Sequence, residues 1–305
     1  MCSLYLAGSK PFGFILEDRL FIRKDRVMKA QGETKKISKE RRGSKRKSDS
    51  KDREASLRKY QIIIRSMMAL SVVGMLLFGI LLLQSRREYA KGDALYEQIQ
   101  MTSWDGNEVE TDKKIGSDGF LVDFAMLQEI NEDVIGWLQD GEGTIDYPVV
   151  LGEDNEYYLT HLFNHEQNKL GTLFMDCRNE GGLTDKNTVI YGHNMKDGSM
   201  FATLLNYRDQ SYYESFPMMT LYTPEGDFTI EFFAGIVADG NYEFIRFQFK
   251  DNADFQNYID IIKEKSTFES DVEVGPEHRI VTLCTCSYEF DNARYALYGK
   301  LVPIE

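Results

Sequence analysis

Short apolar runs separated by turn residues dominate the second half of the chain. The runs with strand character are 144–150, 172–175, 188–190, 219–222, 228–237, 244–249, 280–286 and 295–302. Turn sequences such as Thr-Pro-Glu-Gly-Asp at 223–227 separate them. Many short strands with turn signals between them are typical of a β-barrel or a β-sandwich.

Two further stretches have helical periodicity. The apolar residues between 124 and 137 keep a roughly helical spacing, and we predict that the folded domain begins there, near Asp123. In 252–268 the apolar positions follow an i, i+3, i+4, i+7 pattern, with Asp254 as the expected N-cap. The second stretch predicts a long helix before the last two strands. The predicted fold is therefore mainly β with helices.

One stretch is apolar for long enough to cross a membrane. Residues 67–83 contain no charge, and Arg65 is the single charged residue between Ile62 and Leu83. A membrane-spanning helix needs about 20 apolar residues, and an arginine near its end can reach the headgroups. A cleaved signal peptide would begin nearer the N-terminus, and a buried globular helix is rarely apolar on every side. We predict one transmembrane helix at 61–84.

The charges differ sharply on the two sides of this helix. Residues 1–60 have a net charge of +10, and the other 245 residues have a net charge of −23. Eight Lys/Arg lie in 42–61 and three in 84–103, which predicts a cytoplasmic N-terminus and an extracellular C-terminal domain. The acidic domain argues against a nucleic-acid partner. The basic segment can contact anionic membrane lipid.

These patterns divide the chain into four predicted parts. Residues 1–60 form a basic cytoplasmic arm, which we expect to be disordered because it has little apolar content. The transmembrane helix at 61–84 follows, and 85–122 form a helical stalk or linker. Residues 123–305 form the extracellular domain.

Candidate chemistry lies at the ends of predicted strands. The strand 279–283 runs into Cys284, Thr285 and Cys286, and Arg294 follows eight residues later on the returning strand. A thiol is a nucleophile as its thiolate, which positive neighbours favour. His193 follows another apolar strand, 188–190. Cysteine, histidine and arginine at strand ends predict an acyl-transfer site.

These residues also carry a family resemblance. The sequence Thr-Leu-Cys-Thr-Cys at 282–286 resembles the T-L-x-T-C signature of sortases, cysteine transpeptidases of Gram-positive cell walls. The sequence Tyr-Gly-His-Asn-Met-Lys-Asp-Gly-Ser-Met-Phe at 191–201 is similar to the histidine segment of class B sortases. The resemblance covers 123–305 and includes 145–150 and 174–179. It implies a closed sortase-type β-barrel of about eight strands, with N-terminal helices and a long helix before the last two strands.

The resemblance also implies roles for the candidate residues. Cys286 would be the nucleophile and His193 the acid and base. Arg294 would hold the substrate carbonyl and stabilise the oxyanion. Thr285 would add a backbone or hydroxyl contact, and a structural role is favoured for Cys284. Without the motif, a buried strand cysteine and a surface arginine in a salt bridge are the ordinary alternatives.

Other cysteines and histidines give weaker signals. The four cysteines, at 2, 177, 284 and 286, form no spaced disulfide framework. His161 and His165 have the spacing of a helical metal pair, but neither the glutamate of the metalloprotease pattern nor a third ligand accompanies them. His278 lies in a predicted surface turn. We therefore expect no metal and no cofactor.

The resemblance predicts a transpeptidase that cleaves a sorting motif similar to N-P-x-T-x in secreted proteins. Cleavage after threonine would give a thioester, which an amino group of peptidoglycan, in a precursor or cross-bridge, would resolve. The partners would then be proteins with a C-terminal sorting signal, peptidoglycan and, through the single span, membrane lipid. A pilin-polymerising sortase and a non-catalytic, membrane-anchored surface or signalling protein are the alternatives.

Overall fold

The computed structural model describes residues 14–103, 114–115, 121–240 and 244–304. The first residues of the predicted arm, 1–13 with Cys2, lie outside the described residues, as do 104–113 and 116–120 of the predicted linker. The chain divides into two units, Met1–Leu81 and Leu82–Glu305.

The described part of the first unit is the N-terminal portion of helix α1, which as a whole extends over Phe14–Ser103. Residues 14–60 are helical, whereas the sequence predicted a disordered arm there. Lysine, arginine and glutamate are good helix formers, and α1 contains no proline. The large apolar side chains from Ile62 to Leu81 are exposed, which is typical of a surface in contact with lipid. By length and composition, α1 is the one described helix that could cross a membrane.

The second unit is built around a closed β-barrel. Its strand order is β10-β8-β7-β3-β4-β5-β6-β9, with β4–β5 and β6–β9 parallel and the other neighbours antiparallel. The strands of the unit are β1 Lys114–Ile115, β2 Leu121–Val122, β3 Val134–Asp140, β4 Asp146–Val150, β5 Leu173–Met175, β6 Asn187–Tyr191, β7 Met218–Tyr222, β8 Phe228–Asp239, β9 Arg279–Cys286 and β10 Ala293–Pro303. Strands β1 and β2 pair with each other outside the barrel. The predicted eight-stranded barrel is confirmed.

Short helices connect the strands. The α-helices are α2 Phe124–Ile130, α3 Gln210–Ser215 and α4 Asn252–Glu264, and the 3-10 helices are Tyr157–Leu159, Gly182–Thr184 and Ala202–Arg208. Helix α4 precedes the last two strands, as predicted. Its N-cap is Asp251, whose carboxylate accepts from the Asp254 N–H. The predicted cap, Asp254, is one turn further along, and its carboxylate pairs with Arg246.

The apolar residues form two clusters, which meet opposite faces of β9 and β10. The inner cluster includes Trp137, Leu283 and Leu297. The outer cluster joins Phe255 and Ile259 of α4 to residues of β8, β9 and β10. Because side chains alternate along a strand, odd-numbered residues of β9 point inward and even-numbered ones outward. Strand β9 is therefore buried on both faces for most of its length.

Two predicted elements differ from the structure. The stretch 124–137 was predicted as helical, but strand β3 occupies its last part. Both faces of β3 are buried, so its sequence lacks the alternation of apolar and polar residues that marks a strand. Residues 244–249 were predicted as a strand, but they form neither helix nor strand. Phe249 packs 4.6 Å from Phe255 of α4, and the Phe244 carbonyl accepts from two tyrosine hydroxyls. Contact with α4 accounts for Phe244 and Phe249, and Phe247 lies beneath the Arg178 guanidinium, which is 4.3 Å from its ring centroid.

The end of α1 belongs to the second unit. Tyr96 and Ile99, which lie in the predicted stalk, are buried in the inner cluster. The Gln100 side chain donates to the Asp146 carbonyl at 2.7 Å. Residues after the predicted span thus contribute to the core of the domain.

Candidate active site

Cys286 and Arg294 lie opposite each other on neighbouring strands. Cys286 is the last residue of β9, and its antiparallel partner in β10 is Arg294. Directly opposite residues project to the same face, with their Cβ atoms about 5 Å apart. The Arg294 guanidinium donates to the Ala293 carbonyl at 3.1 Å. The register therefore places the thiol and the guanidinium on one patch of the outer face.

His193 reaches this patch from the other side of β9. Strand β6 runs parallel to β9, with Tyr191 beside Cys284, and His193 follows β6 by two residues. Because parallel neighbours end at the same edge of a sheet, the chain leaves β6 close to the end of β9. His193, Cys286 and Arg294 line the same cavity, which has a volume of about 340 Å³. The structure thus brings together the three residues that the sequence singled out.

Three hydrogen bonds join the histidine loop to β9. The Gly192 N–H donates to the Cys284 carbonyl at 3.2 Å, and the Thr285 hydroxyl donates to the Gly192 carbonyl at 2.8 Å. The Asn194 amide donates to the carbonyl of Cys286 at 2.9 Å. The side chains of Thr285 and Asn194 therefore hold the two chain segments together, on either side of His193.

Gly192 has a steric reason to be glycine. A Cβ there would lie 2.4 Å from Leu173 Cδ2 and 2.7 Å from the Phe201 ring, well inside van der Waals contact. A side chain at this position would push the loop away from the barrel and take His193 with it.

The imidazole of His193 is oriented by a backbone carbonyl. Its Nε2 lies 2.7 Å from the Leu159 carbonyl oxygen. Because a carbonyl only accepts, Nε2 carries the proton, and Nδ1 is the nitrogen left for proton exchange. The sequence offered no secure orienting residue, and a carbonyl has no signature in the sequence.

The floor of the cavity is a row of side chains across three strands. Phe174 of β5 pairs with Tyr191 of β6, which pairs with Cys284 of β9. Burial raises the pKa of the Cys284 thiol to about 12, although nearby Arg294 opposes the change. Cys284 therefore stays protonated and packs as a small apolar group, whereas Cys286 is only partly buried. The lining residues of the cavity are Asn155, Leu159, Phe174, Tyr191, Gly192, His193, Cys284, Thr285, Cys286 and Arg294.

A buried carboxylate supports this floor from below. The Tyr191 hydroxyl donates to Asp176 at 2.9 Å, and the Arg178 guanidinium donates to both carboxylate oxygens at 2.9 and 2.7 Å. Burial favours a raised pKa for Asp176, but the hydrogen bonds from Arg178, Asn155 and Tyr191 outweigh it and lower the pKa. Asp176 is therefore ionised at neutral pH and anchors Tyr191 beneath the cavity.

The other histidines have separate partners. The His161 ring stacks on Tyr157 at 4.0 Å and donates to its carbonyl, and His165 lies 3.3 Å from the Tyr157 hydroxyl. His278 Nδ1 accepts from the Gly275 N–H. Within the described ranges, no group of three or more histidine, cysteine or acidic residues is placed to hold a metal ion.

Comparisons with known sequences and structures relate this chain to sortase B proteins. No family model matches the chain. Sortase B of Listeria monocytogenes is 39% identical over 178 residues, which are 58% of this chain and 72% of that protein. Sortase B of Staphylococcus aureus is 30% identical over 237 residues, which are 77% of this chain and 95% of that protein.

The fold comparison gives the same result. The structure of the Staphylococcus aureus sortase B–substrate complex has a TM-score of 0.57 and 33% sequence identity. The matched region covers 60% of this chain and 85% of the Staphylococcus aureus chain. The matched region is too long, and the identity too high, for a likeness of fold alone.

Proposed function

The chain belongs to the class B sortases, which makes it a cysteine transpeptidase, and we propose that Cys286, His193 and Arg294 are its catalytic residues. The observation that carries this assignment is their placement around one cavity. Strand register sets Cys286 opposite Arg294, and the loop after β6 adds His193.

The first half of the proposed reaction forms a thioester. The Cys286 thiol passes its proton to His193 Nδ1, and the resulting thiolate attacks the carbonyl carbon of the threonine in a sorting motif similar to N-P-x-T-x. The Arg294 guanidinium binds the carbonyl oxygen as negative charge develops on it. When the C–N bond breaks, the leaving amine takes a proton from His193 Nδ1, since Nε2 is committed to Leu159. The acyl group remains on Cys286.

The second half transfers the acyl group to peptidoglycan. An amino group of the precursor or cross-bridge attacks the thioester carbon and loses a proton to His193. The C–S bond then breaks and the thiolate returns, so one peptide bond has been exchanged for another. This ping-pong sequence uses only the residues of the chain.

The cellular arrangement is also part of the proposal. The exposed apolar part of α1 supports a membrane span at 61–84. The excess of basic residues before it supports a cytoplasmic N-terminus and an extracellular catalytic domain at 123–305, after the linker. Secreted proteins with C-terminal sorting signals and peptidoglycan would then be within reach of the cavity.

The direct test is to trap the acyl-enzyme. The full chain, in lipid nanodiscs, is incubated with a library of quenched sorting peptides, with and without an amine acceptor. We expect cleavage after threonine, transfer only with the acceptor, and a thioester at Cys286 detected by mass spectrometry.

Two variants control this experiment. Cys286→Ala should abolish both cleavage and transfer. Cys177→Ala removes a partly exposed thiol that does not line the cavity, and it should react like the wild type. Turnover by Cys286→Ala, or an acyl group on Cys177, would contradict the assignment.

A further inference from the structure

A loop on the barrel surface connects helix α1 to the histidine. We call residues 159–172 the strap, which runs from the last residue of the first 3-10 helix to the residue before β5. The strap is closed on itself, because the Thr172 N–H donates to the Tyr158 carbonyl at 3.0 Å and the Asn168 N–H donates to that of Thr160 at 2.9 Å. Its first residue, Leu159, supplies the carbonyl that accepts from His193.

The last turns of α1 hold the other end of the strap. The Tyr96 hydroxyl donates to the Gly171 carbonyl at 2.6 Å, and the Asn168 amide donates to the Glu88 carbonyl at 2.8 Å. Gly92 lies so close to the strap that a Cβ there would be 2.8 Å from Leu170 Cδ2. Tyr96 is buried, with 3% of its surface exposed. Its hydroxyl also lies 3.1 Å from the Thr172 hydroxyl, so both partners belong to the strap.

Gly171 is the point at which the strap meets the imidazole. Its φ of +63° is in the left-handed region. A Cβ on Gly171 would lie 3.1 Å from the Leu159 oxygen and 3.2 Å from His193 Cδ2. Gly171, whose carbonyl Tyr96 holds, thus lies so near the imidazole and the oxygen that orients it that no side chain fits between them.

We propose that Tyr96 is a positioning residue for His193. Its hydroxyl fixes the Gly171 peptide, and the packed Gly171 fixes the Leu159 carbonyl that accepts from Nε2. The imidazole is then held with Nδ1 free for proton transfer. This inference rests on the proposed catalytic role of His193. It means that the active site is completed by the last turns of α1, beyond the predicted span.

The variant Tyr96→Phe tests the link, because it removes the hydroxyl and keeps the ring. In the full chain in nanodiscs, we expect kcat to fall about fivefold, the scale of one net hydrogen bond, with KM for the peptide unchanged. Tyr207→Phe is the matched control. Tyr207 is also buried and its hydroxyl also donates to a backbone carbonyl, that of Phe216 at 2.8 Å, which lies outside the strap.

A spectroscopic measurement separates positioning from a general loss of stability. In the chain with ¹⁵N-labelled histidine, we expect His193 as the Nε2–H tautomer, and His193→Gln assigns its signals among the four histidines. Tyr96→Phe should shift His193 toward a mixture of tautomers, whereas Tyr207→Phe should not.

Each outcome bears on the proposal. A wild-type imidazole spectrum in Tyr96→Phe would overturn it, whatever the rate, as would a change in kcat no larger than that of Tyr207→Phe. If the tautomer mixture appeared while turnover stayed normal, positioning for catalysis would fail. A thioester trapped on Cys286 in the same sample would show that the nucleophile assignment still holds.

Discussion

Cys286 and Arg294 meet through the register of two consecutive antiparallel strands, whereas His193 arrives on a loop held by distant segments. The pair on β9 and β10 is separated by eight residues, and regular ladder hydrogen bonds fix it. The histidine depends on Leu159, 34 residues earlier, and on Asn194, which reaches Cys286 across 92 residues. One half of the site is local in sequence and the other is not.

The two halves of the site should therefore differ in their sensitivity to substitutions elsewhere in the domain. The pair should tolerate changes elsewhere in the domain, because the barrel wall sets its register. The histidine half depends on single contacts in loops, which open more easily than strands of a core. Substitutions in the two halves should therefore have distinguishable effects.

The largest effect is expected in the local half. Arg294→Ala removes the guanidinium and should lower kcat by about a hundredfold or more, the scale for losing one oxyanion donor. Arg294→Lys, which keeps the charge but not the fork, should recover part of the rate. Thermal stability should change little, since the strand register remains. Steady-state kinetics of peptide cleavage measures this, and a near-wild-type rate for Arg294→Ala would remove it from the site.

An intermediate effect is expected for Gly171→Ala in the histidine half. The new Cβ would lie 2.5 Å from the Tyr158 carbonyl oxygen at a positive φ, so we expect a loss of about 2 kcal/mol in the free energy of unfolding. Gly182→Ala is the matched control, because Gly182 also has a positive φ but nothing lies within 4 Å of a Cβ there.

Gly182→Ala should lower the free energy of unfolding by about 1 kcal/mol, from the backbone conformation alone. Chemical denaturation of both variants, with kcat measured beside it, gives the comparison. Equal losses of stability, or a Gly171→Ala enzyme with normal kcat, would show that this close approach does not position His193.

The smallest effect is expected for Asp176, beneath the floor of the cavity. It concerns how the stability of the domain depends on pH. The folded pKa of Asp176 is below its ordinary value of 3.8, so its contribution is present above that pH and is lost as the pH falls below it. As the pH falls below 3.8, the Tm of the wild type should decline, and that of Asp176→Asn should decline less. Thermal denaturation from pH 6 down to about pH 3 checks this. Parallel curves for the two proteins would contradict the predicted role of the carboxylate.

Much of the fold followed from local patterns, and the exceptions have a common cause. Helix α4 and seven of the eight barrel strands were predicted, since periodicity reports which face is buried. Strand β3 was missed because both of its faces are covered, so its pattern carries no alternation. Residues 244–249 carry alternation without a strand, because Phe249 packs against α4. Periodicity fails where burial is decided by a distant element.

The sequence alone determined the residue types, the strand ends on which Cys286 and His193 lie, and the return of the chain that places Arg294 beside the thiol. These follow from short-range spacing and from the period of a strand. Only the tertiary structure decided which carbonyl orients the imidazole and that Tyr96 supports it. Backbone oxygens are the same in every residue, so their use depends on where the folded chain brings them.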